Sequence, residues 1–246
     1  MSDAQDHQPG REVLVTGASD GIGRALVRRL TAGGWRCTTL DIQPPQALEP
    51  GERFFAVDLS DRGALQALLP RVVQDRAIVG LVNNVGASLT TPVAQVQHAQ
   101  LERLAQINLW CPVQCLQAVL PAMQARRWGR VVNVSSRAAL GKPGRTLYSA
   151  TKAGLHGLTR TWALELAAAG ITVNTVSPGP IATSMFHRLN PPDSPRTAEI
   201  VDAVPVQRMG APDEVAHAIA YFMDDAAAFT TGQLLHVCGG LTVGMG

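Results

Sequence analysis

Short β-rich runs alternate with longer helical patterns along this 246-residue chain, and this alternation is the feature that most constrains its fold. EVLVT and WRCTTLD flank the helical stretch GIGRALVRRLTAGG, and RFFAVDL and IVGLVNN flank the helical stretch RGALQALLPRVVQD. Helical patterns around 100–126 and 148–169 then lead to GRVVNVSS and GITVNTVSPG, and GQLLHV follows near the end. Repeated strand–helix–strand units build a parallel sheet with helices on both faces. The sequence therefore predicts an α/β fold with a doubly wound parallel sheet of about seven strands.

The alternation is interrupted once, after the sixth predicted strand. The segment MFHRLNPPDSPRTAEIVDAVPVQRMGAPDE contains five prolines, and a loop of this length inside a compact domain is usually functional. We interpret it as a substrate lid around 184–209. The polar residues 1–10 are expected to form a disordered leader, and residues 11–246 a single catalytic domain, because no internal repeat is visible.

Composition argues against several other classes of protein. The net charge is +2 and charges of both signs are interspersed, so there is no basic stripe for nucleic acid. No run of about 18 apolar residues could span a bilayer, and the first residues lack the features of a signal peptide. The four cysteines and six histidines show no metal-ligand spacing. We expect a cytoplasmic protein with reduced thiols, no metal, no nucleic-acid partner and no membrane segment.

A glycine-rich turn, TGASDGIG, joins the first predicted strand to the first helix. Its glycines permit positive φ and close approach of a pyrophosphate to the helix N-terminus, whose unpaired N–H groups favour anions. Such turns also occur merely to cap helices, but at this place in a βαβ unit the motif indicates a Rossmann-like dinucleotide site. The residues concerned are Gly17, Ser19, Asp20, Gly21, Ile22 and Gly23.

Asp41 ends the second predicted strand and favours NAD over NADP. An acidic side chain here can accept hydrogen bonds from the ribose hydroxyls of NAD and would repel a 2'-phosphate. Neither Ile42 nor Gln43 supplies a positive charge, and Asp20 in the glycine turn is also acidic. The alternative is an ordinary turn residue at a strand end.

Two further strand ends lead to the same crevice. VDLS places Asp58 and Leu59 after the third strand, and LVNNVG places Asn84 and Gly86 after the fourth. Ligands of doubly wound sheets bind outside the carboxyl ends of the strands. We therefore expect these four residues at the cofactor.

Six motifs stand in order along the chain: TGxxxGIG, NNVG, the asparagine of INLW, VVNVSS, YSATK and SPGPIAT. This set resembles the classical short-chain dehydrogenase/reductase family, and the resemblance covers residues 11 to about 240. It implies a single-domain oxidoreductase that transfers hydride between a substrate and a nicotinamide cofactor.

Tyr148 and Lys152 are four residues apart on a predicted helix and therefore share one face. An adjacent cation, helped by the positive ring of NAD⁺, would lower the pKa of a tyrosine from its usual value of about 10. The resemblance implies that Tyr148 is the catalytic acid/base and that Lys152 also binds the nicotinamide ribose. Without the other motifs, a half-buried tyrosine beside a solvated lysine would be the simpler interpretation.

The resemblance also implies a serine that holds the substrate oxygen, and VNVSSRAAL offers Ser135 and Ser136. Counting back from the tyrosine by the usual family gap selects Ser135, whereas counting from the strand selects Ser136. We favour Ser136, because loop length varies freely while a strand end fixes side-chain direction. Asn108 resembles the family asparagine that interrupts a helix and holds a water linked to Lys152. A mid-helix polar residue bonded to backbone is the alternative.

SPGPIAT follows the sixth predicted strand. Pro178 and Gly179 are expected to turn the chain toward the nicotinamide, while Ile181 and Thr183 resemble the family contacts to its carboxamide. Cys238 stands where many relatives have aspartate, and we expect it to contribute to subunit packing rather than to chemistry.

The candidate substrate walls combine apolar and basic side chains. The apolar residues are Leu140, Leu147, Met185 and Phe186, and the basic residues are Arg137, Lys142, Arg145, Arg188 and Arg196. The basic set is compatible with an anionic substrate. The simpler alternative is that these side chains are solvated or contact another subunit.

We predict an NAD(H)-dependent oxidoreductase that interconverts a secondary alcohol and a ketone. A 3-oxoacyl reductase acting on acyl-carrier or coenzyme A thioesters is the alternative within the same class, and Asp41 argues against it. A dinucleotide-sensing binding protein is the alternative from another class, and the complete catalytic set argues against it. Apolar residues on several faces of the two long helices, together with the resemblance, predict a homotetramer.

Overall fold

The computed structural model describes residues 11–191 and 194–243, so the predicted leader lies outside the described residues. Seven parallel strands form one sheet in the order β3-β2-β1-β4-β5-β6-β7 within this part of the chain. The strands are β1 (Glu12–Thr16), β2 (Arg36–Asp41), β3 (Arg53–Ala56), β4 (Ile78–Asn83), β5 (Gly129–Val134), β6 (Ile171–Pro178) and β7 (Leu234–Val237). The prediction of a doubly wound parallel sheet of seven strands is confirmed.

Helices cover both faces of this sheet. The α-helices of the described residues are α1 (Gly21–Ala32), α2 (Arg62–Val73), α3 (His98–Ala105), α4 (Cys111–Arg126), α5 (Thr146–Leu166), α6 (Ser184–Leu189), α7 (Pro195–Asp202) and α8 (Pro212–Met223). On one face α2, α4 and α5 contribute Leu65, Val119 and Trp162 to the core. On the other face α1 and α8 contribute Leu26 and Ile219. The central strands are consequently buried on both sides, which explains their nearly continuous apolar sequences.

The helix predicted around 100–126 is divided in the structure. A π-helical segment, Gln106–Trp110, separates α3 from α4. Periodicity did not reveal this division because one wide turn barely disturbs a helical pattern, whereas it displaces the side chain of Asn108.

The segment interpreted as a lid folds as α6 and α7 and leaves the sheet at one place. Its two ends are joined by backbone hydrogen bonds, from Ala182 N to Gly210 O (2.9 Å) and from Gly210 N to Pro180 O (3.0 Å). The lid is therefore a closed excursion above the carboxyl ends of the strands.

The sheet order reverses between β1 and β4, and that reversal positions the site. The chain passes from β1 outward to β2 and β3, then crosses back to β4 on the other side. A crevice opens outside the carboxyl ends at such a point. The four cysteines are buried and unpaired. None of the described helices combines the length and apolarity needed to cross a bilayer.

Candidate active site

A cavity of about 660 Å³ opens at the carboxyl ends of the strands and extends under the lid. Its lining runs from Asp41 at the end of β2, past the glycine loop, to Tyr148 and Lys152 on α5. The predicted site residues in this lining are Gly17, Asp20, Gly21, Ile22, Asp41, Asn84, Gly86, Ser136, Tyr148, Lys152, Pro178, Gly179, Ile181 and Thr183. The predicted site residues outside it are Ser19, Gly23, Asp58, Leu59 and Asn108.

The glycine loop is held in a shape that tolerates no added side chain at two positions. Gly17 has φ +67°, in the left-handed region that favours glycine. Gly23 lies in the first turn of α1, where a Cβ would be 2.2 Å from Gly17 O and 2.7 Å from Asn84 Nδ2. Asp20 caps α1, because its carboxylate accepts a hydrogen bond from Gly21 N at 2.7 Å. The loop backbone therefore packs directly on the start of the helix.

The Asp41 carboxylate is fixed at the rim of the cavity. Its Oδ2 accepts a hydrogen bond from Ser19 N (2.9 Å) and its Oδ1 accepts one from Ile42 N (2.7 Å). Ser19 thus supports Asp41 through its backbone rather than lining the cavity. Within the described ranges, neither Asp41 nor Asp20 forms an ion pair with a basic side chain. This end of the cavity is acidic.

The structure does not bring Asp58 or Leu59 into the cavity lining. Asp58 is exposed, and its Oδ1 accepts hydrogen bonds from Ser60 N (2.8 Å) and Ser60 Oγ (2.7 Å). These bonds hold the pKa of the Asp58 carboxyl below its usual value. Leu59 is buried in the core beside α2.

Asn84 and Gly86 tie the end of β4 to the two halves of the site. The Asn84 amide donates from Nδ2 to Gly17 O (2.8 Å) and to Thr16 O (3.0 Å), which anchors the glycine loop. A Cβ at Gly86 would lie 2.9 Å from Lys152 Nζ. Glycine at this position therefore leaves room for the lysine.

Tyr148 and Lys152 lie one helical turn apart on α5, and both line the cavity. Lys152 is buried and donates from Nζ to Val134 O at 2.8 Å. Burial lowers the pKa of Lys152 to about 8. For Tyr148, burial raises the pKa, and it outweighs a hydrogen bond with Ser136 and the charge of Arg145, which both lower it.

Lys152 is not among the groups that lower the pKa of Tyr148 in this structure. Its ammonium is directed at the Val134 carbonyl, whereas Arg145 supplies the cationic influence on the phenol. From the sequence, Arg145 is expected only as a substrate-wall residue. Its position three residues before the tyrosine, one helical turn away, was the signal that could have indicated this second role.

The two candidate serines both line the cavity but have different partners on α5. Ser135 is buried, donates from Oγ to Lys152 O (2.8 Å) and contacts His156 Nε2 (2.9 Å). Ser136 shares a hydrogen bond with the Tyr148 phenol, and its Oγ accepts one from Ala138 N at 3.2 Å. The residue beside the phenol is therefore the one indicated by the end of β5.

Asn108 occupies the middle of the π-helical segment and is buried. Its side chain accepts from Ala87 N (3.0 Å) and donates to Ala87 O (3.1 Å) and Thr151 Oγ1 (3.0 Å). The interrupted helix expected from the resemblance is present. Asn108 joins the loop after β4 to α5, on the turn that carries Lys152.

The loop after β6 closes the cavity opposite the glycine turn. At Gly179 a Cβ would lie 2.7 Å from the Cα of Cys238, so the loop passes directly over the end of β7. Cys238 is buried, and its Sγ lies 3.2 Å from Thr242 Oγ1. Thr183 caps α6 by accepting a hydrogen bond from Phe186 N at 3.2 Å. Among the described residues, no group of three or more His, Cys, Asp or Glu side chains could hold a metal ion.

Comparisons with known proteins agree with this architecture. The family model described as enoyl-(acyl carrier protein) reductase matches residues 17–242. Nodulation protein G of Rhizobium sp. (strain N33) is 38% identical over 242 residues, which cover 95% of this chain and 98% of that protein.

Two solved structures are closely similar. A short chain dehydrogenase/reductase family protein has a TM-score of 0.86 at 32% identity and covers 96% of this chain and 99% of its own. A 3-oxoacyl (acyl-carrier-protein) reductase from Agrobacterium tumefaciens C58, with NADP bound, has a TM-score of 0.89 at 29% identity and covers 97% and 98%. The chain is an oxidoreductase that belongs to the classical short-chain dehydrogenase/reductase family.

Proposed function

We propose that this protein interconverts a secondary alcohol and its ketone, with NAD(H) as the hydride carrier. The observation that carries the proposal is the continuity of the cavity. One space is lined at one end by the glycine loop and Asp41, and at the other by Ser136, Tyr148 and Lys152. A nicotinamide dinucleotide fits this cavity, because Gly17 and Gly86 have no side chain and a ligand can therefore approach their backbone closely.

The acidic end of the cavity supports NAD rather than NADP. Asp41 is held by two backbone N–H groups, so it cannot easily turn away from a 2'-phosphate. A phosphate placed there would meet a fixed negative charge without a cation to offset it.

The residues at the other end support proton transfer at the substrate oxygen. The nicotinamide cofactor supplies the hydride acceptor in oxidation and the hydride donor in reduction. In reduction, the Tyr148 hydroxyl gives its proton to the carbonyl oxygen while the carbon gains hydride, and in oxidation the phenolate takes the alcohol proton. Ser136 holds the same oxygen by a hydrogen bond, and Arg145 adds positive charge next to the phenol, while the buried Lys152 ammonium donates to Val134 O.

A 3-oxoacyl reductase is the second candidate. The similarity to the 3-oxoacyl (acyl-carrier-protein) reductase described above favours it, and the same catalytic groups would perform that reduction. Asp41 separates the two candidates, because that relative holds NADP whereas this site is acidic at the corresponding end of its cavity.

The test is turnover of secondary alcohols, hydroxy acids, ketones and a 3-oxoacyl thioester, followed by nicotinamide absorbance. Tyr148→Phe should reduce kcat at least about 100-fold, since general acid–base groups contribute this much, and should leave NADH binding intact. The other tyrosine of the chain provides a matched control, because Tyr221 is half-exposed on α8 and Tyr221→Phe should be fully active. Equal activity of the two variants would overturn the proposed role of Tyr148. NADH binding without turnover of any substrate would instead favour a sensor.

The cofactor preference has a separate test. Asp41→Ala should narrow the preference for NADH over NADPH by about tenfold or more, measured as the ratio of dissociation constants from NAD(P)H fluorescence. Asp75→Ala, at an exposed aspartate remote from the cavity, is the control and should leave the ratio unchanged. If the wild-type protein binds NADPH more tightly than NADH, the hypothesis that Asp41 selects NADH is wrong.

A further inference from the structure

Basic side chains are concentrated at the chemical end of the cavity. The lining contains Arg137, Lys142, Arg145, Arg188 and Arg196 beside Tyr148. The acidic lining residues Asp20 and Asp41 belong to the glycine-loop end, which leaves Glu199 on the lid as the acidic side chain of this half. The cavity is therefore electrostatically divided, and its positive half surrounds the phenol.

Arg145 is built into this half and is not a solvated surface residue. Only 8% of it is exposed, and its guanidinium donates a hydrogen bond to Ser88 Oγ. The backbone beside it is fixed as well, because Thr91 N donates to Gly144 O at 2.8 Å. One buried guanidinium is thus held at the start of α5, one turn before Tyr148.

The neighbouring cations act on one another across the cavity. Lys142 is half-buried, and after burial itself the charges of Arg137, Arg145 and Arg196 lower its pKa. Burial lowers the pKa of Arg145, and the charge of Arg196 lowers it further, whereas the Tyr148 phenol raises it. These cations come from two separate segments, the loop between β5 and α5 and the lid helix α7.

Glu199 forms no ion pair with these basic side chains within the described ranges. None of the five basic side chains has a carboxylate oxygen within ion-pair distance in residues 11–191 and 194–243. Like charges that converge in a partly enclosed space destabilise the protein unless an anion joins them. Guanidinium groups are suited to binding such an anion, because they bind planar oxyanions with two parallel hydrogen bonds.

We propose that the substrate carries a compact oxyanion, a carboxylate or a sulfonate, a short distance from the carbon that is oxidised, and that Arg145, Lys142 and Arg196 bind it. This inference rests on the proposed function, because it names the substrate class of the same site. The basic side chains lie next to Tyr148, so the anion that they bind must lie close to the reacting carbon. The phosphate of an acyl-carrier arm does not meet this condition, because a long pantetheine chain separates it from the reacting carbonyl.

The first experiment compares matched anionic and neutral substrates. We would measure kcat/KM for three anions, 3-hydroxybutyrate, 2-hydroxybutyrate and 2-hydroxypropane-1-sulfonate. The neutral compounds for comparison are 3-hydroxybutyramide, 2-hydroxybutyramide and the N-acetylcysteamine thioester of 3-hydroxybutyrate. The best anion should exceed its neutral counterpart by about tenfold or more, the expected effect of charge-assisted hydrogen bonds. Carboxylate and sulfonate substrates separate the two sources of the oxyanion, and the thioester reports the alternative 3-oxoacyl activity.

Variants connect this preference to particular residues. Lys142→Met and Arg196→Met should each lower the ratio of anionic to neutral kcat/KM about tenfold, with NADH fluorescence as the check that the fold persists. Arg145→Met should lower this ratio further, and Ser88→Ala, which removes the hydrogen-bond partner of Arg145 but keeps its charge, is the matched variant. Arg71→Met, at an exposed arginine on α2 outside the cavity, should leave the ratio unchanged.

A binding measurement keeps the inference testable if no substrate is found. With NADH present, malonate should raise the unfolding midpoint, malonamide should not, and Lys142→Met should abolish the difference. Turnover of neutral substrates at least equal to that of the anions, with no effect of malonate, would overturn the anion site while leaving the oxidoreductase proposal intact. Malonate stabilisation without turnover of any substrate would support the anion site and count against the proposed reaction.

Discussion

Two first-turn glycines, Gly23 in α1 and Gly63 in α2, should respond in opposite ways to replacement by alanine. Alanine is favoured over glycine in helices by up to about 1 kcal/mol, so propensity alone would stabilise both variants. At Gly63 a Cβ would meet only Asp61 Oδ1 at 3.5 Å, an ordinary contact. At Gly23 it would lie 2.2 Å from the backbone oxygen of Gly17, which no rotamer change can relieve.

The free energy of unfolding is therefore expected to rise by up to about 1 kcal/mol in Gly63→Ala and to fall by about 1–3 kcal/mol in Gly23→Ala. If Gly23→Ala instead relaxes by moving the glycine loop, the cost reappears when the loop must close on the cofactor. The same 1–3 kcal/mol then corresponds to NADH binding about 5- to 140-fold weaker.

Urea unfolding at fixed protein concentration measures the first quantity, and NADH fluorescence titration measures the second. Gly63→Ala is the control for helix propensity and should bind NADH like the wild type. A Gly23→Ala protein as stable as Gly63→Ala, with wild-type NADH affinity, would refute the packing of the glycine loop on α1 described above.

Three further predictions concern the active site and the surface. The pKa of Lys152 is lowered to about 8 in the folded protein, so the unfolded chain binds more protons above that pH and stability should rise between pH 8 and about 10.4. Lys152→Met should remove this rise and increase the free energy of unfolding at pH 7 by on the order of 3 kcal/mol, as urea titrations at pH 7 and 10 would show. Ser136→Ala should reduce kcat at least about 100-fold while Ser135→Ala keeps most activity; the reverse order in steady-state assays would reassign the serine. Leu164 on α5 and Phe229 are strongly exposed in the single chain, so light scattering at micromolar concentration should show a tetramer, and a 26.1 kDa particle would contradict this.

The strand order and the helical layers follow from signals that are local in sequence. The central strands β1, β4 and β5 are mainly apolar runs next to helical patterns, as parallel strands buried on both faces require. The edge strand β3 is less buried and follows β2 without a helix between them. The glycine turn and Asp41 were recognisable because the chain itself places them at strand ends. These features depend on residues that are close in sequence, which is why a single sequence was sufficient to predict them.

Asp58 shows that a local sequence signal does not predict the direction of a side chain. Its position after β3 matches the same rule that brings Asp41 to the cavity, yet its carboxylate is occupied by Ser60 in the turn before α2. A strand end fixes where a backbone leaves the sheet, whereas the direction of the next side chain depends on the turn that follows. The rule therefore indicates a region and not an individual contact.

The choice between Ser135 and Ser136 depends on local geometry more than on a count along the chain. Both serines follow the end of β5 and face α5, where Ser135 contacts Lys152 O and His156 Nε2 and Ser136 contacts the Tyr148 phenol. The number of residues between serine and tyrosine carries no such geometric constraint, because Arg137–Leu140 forms a 3₁₀ turn that can absorb a missing residue.

The basic side chains beside Tyr148 could not be interpreted from the sequence for a different reason. The sequence does not distinguish a solvated arginine from one that binds a ligand. The difference depends on burial and on ion partners contributed by distant segments of the chain. Arg145 lies on a buried helix start and Arg196 on a lid helix some fifty residues later, yet each influences the charge of Lys142. The simpler alternative, that the basic side chains are solvated or contact another subunit, does not apply to Arg145, because only 8% of this residue is exposed. The charge of Arg145 also acts on the Tyr148 phenol, and the proposed substrate anion would be a second partner for Arg145 and for the cations that face it.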